Sequence, residues 1–237
     1  ARDGASATFI AETGGQNAMF VDSSALPEQV VLDAVYSAFN SAGQRCSALR
    51  LLCLQEDVAP RIIELLKGSM DGLDVGDPAK LATDVGPAID EEARAMLEAH
   101  VEKMRAQATV LHRAPMGEET AHGTFFAPAL IEIYSIEQLE REVFGPVLHV
   151  LRFKAKNLKA TIDAGNATGY GLTMGVHSRI DSRSRKIAEL SAAGNIYINR
   201  NMIGAVVGGQ PFGGRGLSGT GPKAGGPHYL ARFGSEY

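Results

Sequence analysis

The chain has 237 residues, 45% apolar and 21% charged, with a net charge of -4 at neutral pH. That length can bury a full core as one large domain or two small ones, and the composition excludes intrinsic disorder. No apolar run approaches a membrane span, and the mild acidity argues against a nucleic-acid surface. Two cysteines behind a start without signal-peptide character point to a reducing compartment rather than a disulfide scaffold.

Residues 8–11 and 18–21 are predicted strands on either side of the turn Gly14-Gly15-Gln16-Asn17. Ser24 is expected to cap a helix that carries Val30, Val31, Ala34, Val35 and Ala38 on one face. Residues 49–54 form a candidate buried strand. Ile62, Ile63, Leu65 and Leu66 mark the next helix, with Gly68 as its expected end. A turn-rich stretch over 71–87 leads to a third helix, set by the spacing of Ala93, Leu97, Val101 and Met104. Strands are predicted over 109–111, 125–133 and 147–153, then a helix over 158–165 and a strand over 172–177. A helix over 182–190 and a strand over 195–199 complete the series, which contains no internal repeat. Such alternation predicts an α/β fold: an open parallel sheet with helices on both faces. From Asn201 onward the pattern stops. Nine of the 27 glycines fall within 208–226, a stretch too long for an ordinary loop and too glycine-rich for a helix. An extended strap over a surface is expected there, followed by a short docking segment at 229–233.

Cys46 stands in Ser41-Ala42-Gly43-Gln44-Arg45-Cys46-Ser47, between a predicted helix and a predicted strand. Gly43 permits a tight backbone and the neighbours are polar, a setting that can lower a thiol's pKa and leave it accessible, as a nucleophile requires. A small buried thiol is the competing reading, and for Cys53, inside an apolar strand, it is the better one. The two cysteines are too far apart for a CxxC pair and the six histidines lack metal-ligand spacing, so no metal site is expected. Glu12 sits beside the glycine turn, where desolvation would raise its pKa toward a base's working range; a solvated turn carboxylate is the alternative. In Glu142-Val143-Phe144-Gly145-Pro146 an acid and an aromatic ring flank a valine ahead of a rigid turn. A carboxylate can accept two hydrogen bonds from a ribose diol and a phenyl face can support a flat ring, yet a helix-end acid and a core phenylalanine explain the pair equally well. Gly214-Arg215-Gly216-Leu217-Ser218-Gly219 matches the dinucleotide pattern GxGxxG in form only, because it neither follows a clear strand nor opens a helix.

The segments Glu12-Thr13-Gly14-Gly15-Gln16-Asn17, Gly43-Gln44-Arg45-Cys46, Glu142-Val143-Phe144-Gly145-Pro146 and Pro211-Phe212-Gly213-Gly214 occur in an order and at separations that resemble the aldehyde dehydrogenase superfamily across nearly the whole chain. A narrower likeness rests on Gly43-Gln44-Arg45-Cys46-Ser47-Ala48-Leu49-Arg50, Gly204-Ala205 and Gly226-Pro227-His228-Tyr229-Leu230. These look like the L-glutamate γ-semialdehyde (Δ1-pyrroline-5-carboxylate) dehydrogenase family, in the form found in bifunctional proline-utilisation proteins. The resemblance implies Cys46 as nucleophile and Glu12 as base. It implies that Ser47 and the Gly204 and Ala205 amides grip the α-carboxylate of a small-molecule substrate, with Phe212 as one wall around its aliphatic stem. Glu142 and Phe144 are implied contacts of an NAD cofactor. The implied reaction is oxidation of L-glutamate γ-semialdehyde to L-glutamate in proline catabolism, through a cysteine thiohemiacetal and thioester. The alternatives are a dehydrogenase for another carboxylated semialdehyde or, for this segment in isolation, a thiol esterase or an inert structural piece.

In that family the nucleotide-binding domain lies mainly ahead of the Glu12 motif, whereas eleven residues precede Glu12 here and the first is Ala1. A segment of a longer protein is therefore expected, with a catalytic domain over 1–203 and a substrate-anchor loop and C-terminal strap over 204–237. The strap would return toward an NAD-binding domain outside this segment, and the upstream asparagine of the oxyanion site would lie there too. FAD would belong only to a proline dehydrogenase domain, likewise outside it. The resemblance further implies a homo-oligomer when intact, no nucleic-acid partner for this segment, and a cytoplasmic location, membrane-associated if the whole is a proline-utilising flavoprotein. Alone, the segment is expected to be inactive as a dehydrogenase and to self-associate through an apolar face that a packed domain would cover.

Overall fold

In this computed structural model, which describes residues 9–234, the unbroken apolar runs become the middle of a sheet. The strands are β1 (Asn17–Val21), β2 (Leu49–Gln55), β3 (Thr109–Arg113), β4 (Ala129–Ile133), β5 (Val147–Phe153), β6 (Tyr170–Gly171), β7 (Thr173–His177), β8 (Asn195–Ile198) and β9 (Arg215–Gly216). Among the described residues, seven of them form one sheet in the order β3-β4-β5-β2-β1-β7-β8, and β6 pairs with β9. Every residue of β2 is buried, as a strand covered on both faces must be, and Leu51 stands opposite Ala18 of β1 on one side and His149 of β5 on the other.

Helices α1 (Pro27–Phe39) and α2 (Ala59–Asp71) cover one face, burying Val30, Ala34, Ile62 and Leu66 against Met19, Leu52 and Val150. Helices α3 (Glu91–Gln107), α4 (Leu158–Ala167) and α5 (Asp181–Leu190) cover the other, where Leu97, Val101, Ile162 and Ile187 meet Phe20, Leu51 and Cys53. The three-layer α/β architecture is thus as expected from the alternation.

Several local expectations fail for identifiable reasons. The sheet is not wholly parallel: β3 runs antiparallel to β4, because the connection over 114–128 holds only a 3-10 turn (Glu118–Ala121) and no crossover helix. Ser24 does not cap α1. Its hydroxyl bonds Asp22 Oδ1 at 2.6 Å, and the helix starts later because Pro27 has its φ pre-set for the first turn. Gly68 does not end α2, which continues until Met70 is buried and closes on Gly72. The strand expected over 125–133 begins only at Ala129, after Pro128, which has no N–H to donate. Of the strand expected over 8–11, residue 8 lies outside the described residues and 9–11 form no strand; Glu12 makes a single bridge to Gly219.

The glycine-rich segment does not run as one extended strap. It doubles back on itself, with Phe212 paired antiparallel to Ala224 and Gly208 N donating to Gly225 O at 2.6 Å. At the expected docking segment, Leu230–Phe233 is a 3-10 turn whose Leu230 is 84% exposed.

Open α/β sheets commonly bind ligands at the carboxyl ends of their strands, where the winding direction reverses. Here that reversal falls between β1 and β7, and the crevice is filled: Asp22 accepts from the hydroxyls of Ser24 (2.6 Å) and Ser178 (2.5 Å) and faces Arg183 at 3.6 Å. The opposite, amino ends of the strands carry the residues singled out above.

Candidate active site

Three adjacent strands gather motifs that are far apart in sequence. Glu12 precedes β1 by five residues, Cys46 precedes β2 by three and Glu142 precedes β5 by five, and these strands stand side by side. Cys46 is presented by an unusual turn in which Ser41 (φ 55°), Ala42 (φ 53°) and Gly43 (φ 63°) are all left-handed. Such a conformation costs a residue with a side chain about 1–2 kcal/mol, so its surroundings must hold it. They do. A Cβ on Gly43 would strike Gly145 O, which explains the glycine. Gln44 Nε2 donates to Pro87 O (3.1 Å) while its Oε1 accepts from Ile89 N (2.7 Å), and Arg45 Nε donates to Ser41 Oγ (3.0 Å). On the far side, buried Asn17 donates from Nδ2 to both Cys46 O (2.7 Å) and Ala48 O (2.8 Å) and accepts from Thr173 N (3.1 Å).

Cys46 is half-buried at the wall of a cavity of about 480 Å³. Ser47, Gly204, Ala205 and Phe212 line the same cavity, with Arg45 and Val207 beside them. Residues nominated 158 positions apart, Ser47 and Ala205, therefore share one pocket. Gly204 takes φ +77°, and among the described residues the Gly204 and Ala205 amides donate to no protein acceptor.

Glu12, Glu142 and Phe144 do not line this cavity, but both carboxylates lie close enough to act on the sulfur. Burial pushes the Cys46 thiol up; the Ser47 and Cys46 amides oppose this, and the charges of Glu142 and Glu12 add to it. The lowered thiol pKa expected from the local sequence is thus not what the site provides. Polar neighbours in sequence are not cations in space, and Arg45 turns to Ser41 instead. Glu12 points its Oε1 to within 2.7 Å of where a Gly213 side chain would begin. Burial raises its pKa, against the Gly214 amide and the charge of Lys223, which is the direction expected of a base.

Glu142 is neither in a helix nor at a helix end. Its Oε1 lies 3.4 Å from Arg50 Nη2, and a Cβ on Gly14 would run into its Oε2. Burial raises its pKa, opposed by Arg50 and the Gly15 amide. Phe144 is 45% exposed, not a core ring, and the Arg50 guanidinium sits 5.3 Å from its centroid. Residues 214–219 form the short β9 and a turn and open no helix, so the GxGxxG match has no structural counterpart. Among the described residues, no group of three or more His, Cys, Asp or Glu side chains could hold a metal ion.

The sequence description of the aldehyde dehydrogenase family matches residues 2–235. The chain belongs to the aldehyde dehydrogenase family. It is 55% identical over 230 residues to the bifunctional protein PutA of Klebsiella aerogenes, covering 95% of this chain and 18% of that protein. It is 38% identical over 224 residues to the 1-pyrroline-5-carboxylate dehydrogenase of Geobacillus kaustophilus (strain HTA426), covering 93% of this chain and 42% of that one. A crystal structure of a bifunctional proline utilization A (PutA) protein superposes with a TM-score of 0.93 at 58% identity, over 98% of this chain and 23% of that chain. The chain therefore spans less than a fifth of the PutA relatives it matches in sequence.

This aldehyde dehydrogenase-family domain also uses residues that sequence reasoning passed over. Asn17, Gln44 and Arg50 hold the Cys46 turn through five side-chain hydrogen bonds to backbone within or beside it. His100 and His149, which lack metal-ligand spacing in sequence, form a close pair behind it, Nε2 to Nε2 at 2.8 Å.

Proposed function

We propose that the chain supplies the thiol-bearing domain of an NAD-dependent dehydrogenase that converts L-glutamate γ-semialdehyde to L-glutamate in proline catabolism. The observation that carries this is the shared cavity: Cys46 opens into the space lined by Ser47, Gly204, Ala205 and Phe212, and the Glu12 carboxyl lies near enough to influence the sulfur. The likeness to proteins named 1-pyrroline-5-carboxylate dehydrogenase and PutA supports the substrate.

In this reading the Cys46 thiolate adds to the aldehyde carbon, and the Cys46 amide donates to the developing oxyanion. A second oxyanion donor and the nucleotide-binding domain belong to the intact protein. Ser47 Oγ and the two unengaged amides of Gly204 and Ala205 hold the α-carboxylate at the other end of the cavity, while Phe212 packs on the aliphatic stem. A bound nicotinamide cofactor supplies the acceptor for the aldehyde hydrogen. The Glu142 carboxylate, set against the side-chain-free Gly14, suits a ribose diol, and exposed Phe144 suits a flat ring beside it. The acyl group is then left on sulfur as a thioester. Glu12 takes a proton from water, the water oxygen attacks the acyl carbon, and the thiolate departs. We place the reaction in the cytoplasm, where Cys46 and Cys53 stay as free thiols; among the described residues no helix is long and apolar enough to cross a membrane.

The deciding experiment is Cys46→Ala in the intact protein. NADH formation from the semialdehyde should fall to background while the fold, followed by circular dichroism, is kept. Turnover at near the parent rate would remove Cys46 from the reaction.

A further inference from the structure

Arg50 is a cation near the amino end of an otherwise apolar run in β2, 1% exposed. Its Nη1 donates to Gly145 O at 3.0 Å, and its Nη2 donates to Arg45 O at 3.1 Å and faces Glu142 Oε1 at 3.4 Å. Its own carbonyl is held from behind by His149 Nδ1 at 3.0 Å. A carbonyl only accepts, so His149 carries its proton on Nδ1, its Nε2 accepts, and His100 donates to it. Replacing a buried ion pair by apolar residues is often neutral or stabilising, and among the described residues Arg50 Nε has no hydrogen-bond partner. Stability alone does not account for this arginine. Its contacts do: one guanidinium touches the peptide just ahead of Cys46 and both ends of the segment from Glu142 to Gly145.

We propose that Arg50 is a positioning residue that ties the Cys46 turn to the Glu142–Gly145 segment, so that the Glu142 carboxylate and the Cys46 sulfur compete for one buried positive charge. The inference rests on the reading of Cys46 as the reactive thiol. With Glu142 turned in, the carboxylate claims the guanidinium and the sulfur keeps its proton. Removing or withdrawing that carboxylate leaves the cation to the thiolate. The electrostatics are consistent with this: burial holds the thiol up most, Glu142 and then Glu12 add to it, and a thiolate at Cys46 favours the charged form of Arg50. The charge of Lys223 acts on Glu12 and those of Lys103 and Arg141 on His100, while Arg45 bonds Ser41.

The test is the pH profile of iodoacetamide alkylation of Cys46 in the intact protein, without substrate or cofactor. The adduct is assigned by peptide mapping and folding is checked by circular dichroism. Glu142→Gln keeps an acceptor for Arg50 but loses the charge, and should move the profile to lower pH, so that alkylation below the midpoint accelerates severalfold. Arg50→Met should move it to higher pH and slow alkylation by a similar factor, and Arg50→Lys should fall between Arg50→Met and the parent. A merely structural arginine would change the melting temperature without opposite displacements of the two profiles. Displacements in the same direction, or none in folded Glu142→Gln and Arg50→Lys, overturn the proposal; should Arg50→Met not fold, those two variants decide alone. This assay follows the thiol and not turnover, so its failure is distinct from a failure of Cys46→Ala to abolish NADH formation.

Discussion

Ser47 occupies a buried position at the wall of the cavity, and its hydroxyl is the one polar side-chain group immediately after Cys46. If it holds the substrate's carboxylate, Ser47→Ala removes a hydrogen bond to a charged group, a loss of roughly 1.5–3 kcal/mol. kcat/KM for the amino-acid semialdehyde should then fall about ten- to a hundredfold, and for a plain alkyl aldehyde hardly at all. Equal losses for both would detach Ser47 from carboxylate recognition. At this scale the sequence was only half legible. Cys46 and Glu12 could be singled out as candidates, and the structure brings the Glu12 carboxyl near the Cys46 sulfur. Asn17 and Arg50 stood within the motifs without a role, although Arg50 left a trace: a charge within Leu49-Arg50-Leu51-Leu52 has to be satisfied by something, and that demand alone marks the position as unusual. The error over the thiol pKa came from the same source, since adjacency in sequence does not tell which charges face a sulfur.

Helices and strands were read well wherever an apolar period was long, as in α3 and β5, and badly where a single residue decided a boundary. Gly68 shows why. It looks like a stop, but α2 is held by the burial of Ile62, Leu66 and Met70, and that packing outweighs the cost of one glycine. A Cβ at Gly68 meets nothing within 4 Å, so Gly68→Ala should stabilise the protein by about 0.5–1 kcal/mol. Differential scanning calorimetry should show a melting temperature higher by a few degrees. A decrease would mean that the helix needs its glycine after all.

The whole molecule carries a store of histidines that cannot easily take a proton. Burial lowers His100 and His177 to about 4 and His149 to about 3. The unfolded chain binds protons on these rings below about pH 6.5, which the folded chain does not do until about pH 4 or 3. Stability is therefore present above pH 6.5 and lost as the pH falls toward 4. Glu12, Asp33 and Glu142, raised by burial, bind protons more tightly in the fold and partly offset the loss. Urea midpoints should fall between pH 7 and pH 5, and His177→Gln should flatten that slope. A midpoint that rises on acidification would show that the carboxyls dominate. The layered α/β plan itself was plain from the alternation. The antiparallel edge was not, because strand direction depends on how the connecting chain returns and not on the strand's own residues.

The amino-end placement of the site has an electrical cost. Helices α1, α4 and α5 each leave the carboxyl end of a parallel strand and run back, so they bring their carbonyl termini, with the negative pole of the macrodipole, toward the side where Cys46 lies. From these three helices a thiolate, an oxyanion or a bound carboxylate there meets the reverse of the field that phosphate-binding α/β sites exploit, whereas α3 begins on this side, just after the Pro87 and Ile89 that Gln44 holds. In the proposed reaction, anionic charge would instead be met one N–H at a time, by the amides of Cys46, Ser47, Gly204 and Ala205 and by the Arg50 guanidinium. Small displacements of the backbone in those two loops should therefore tune reactivity directly.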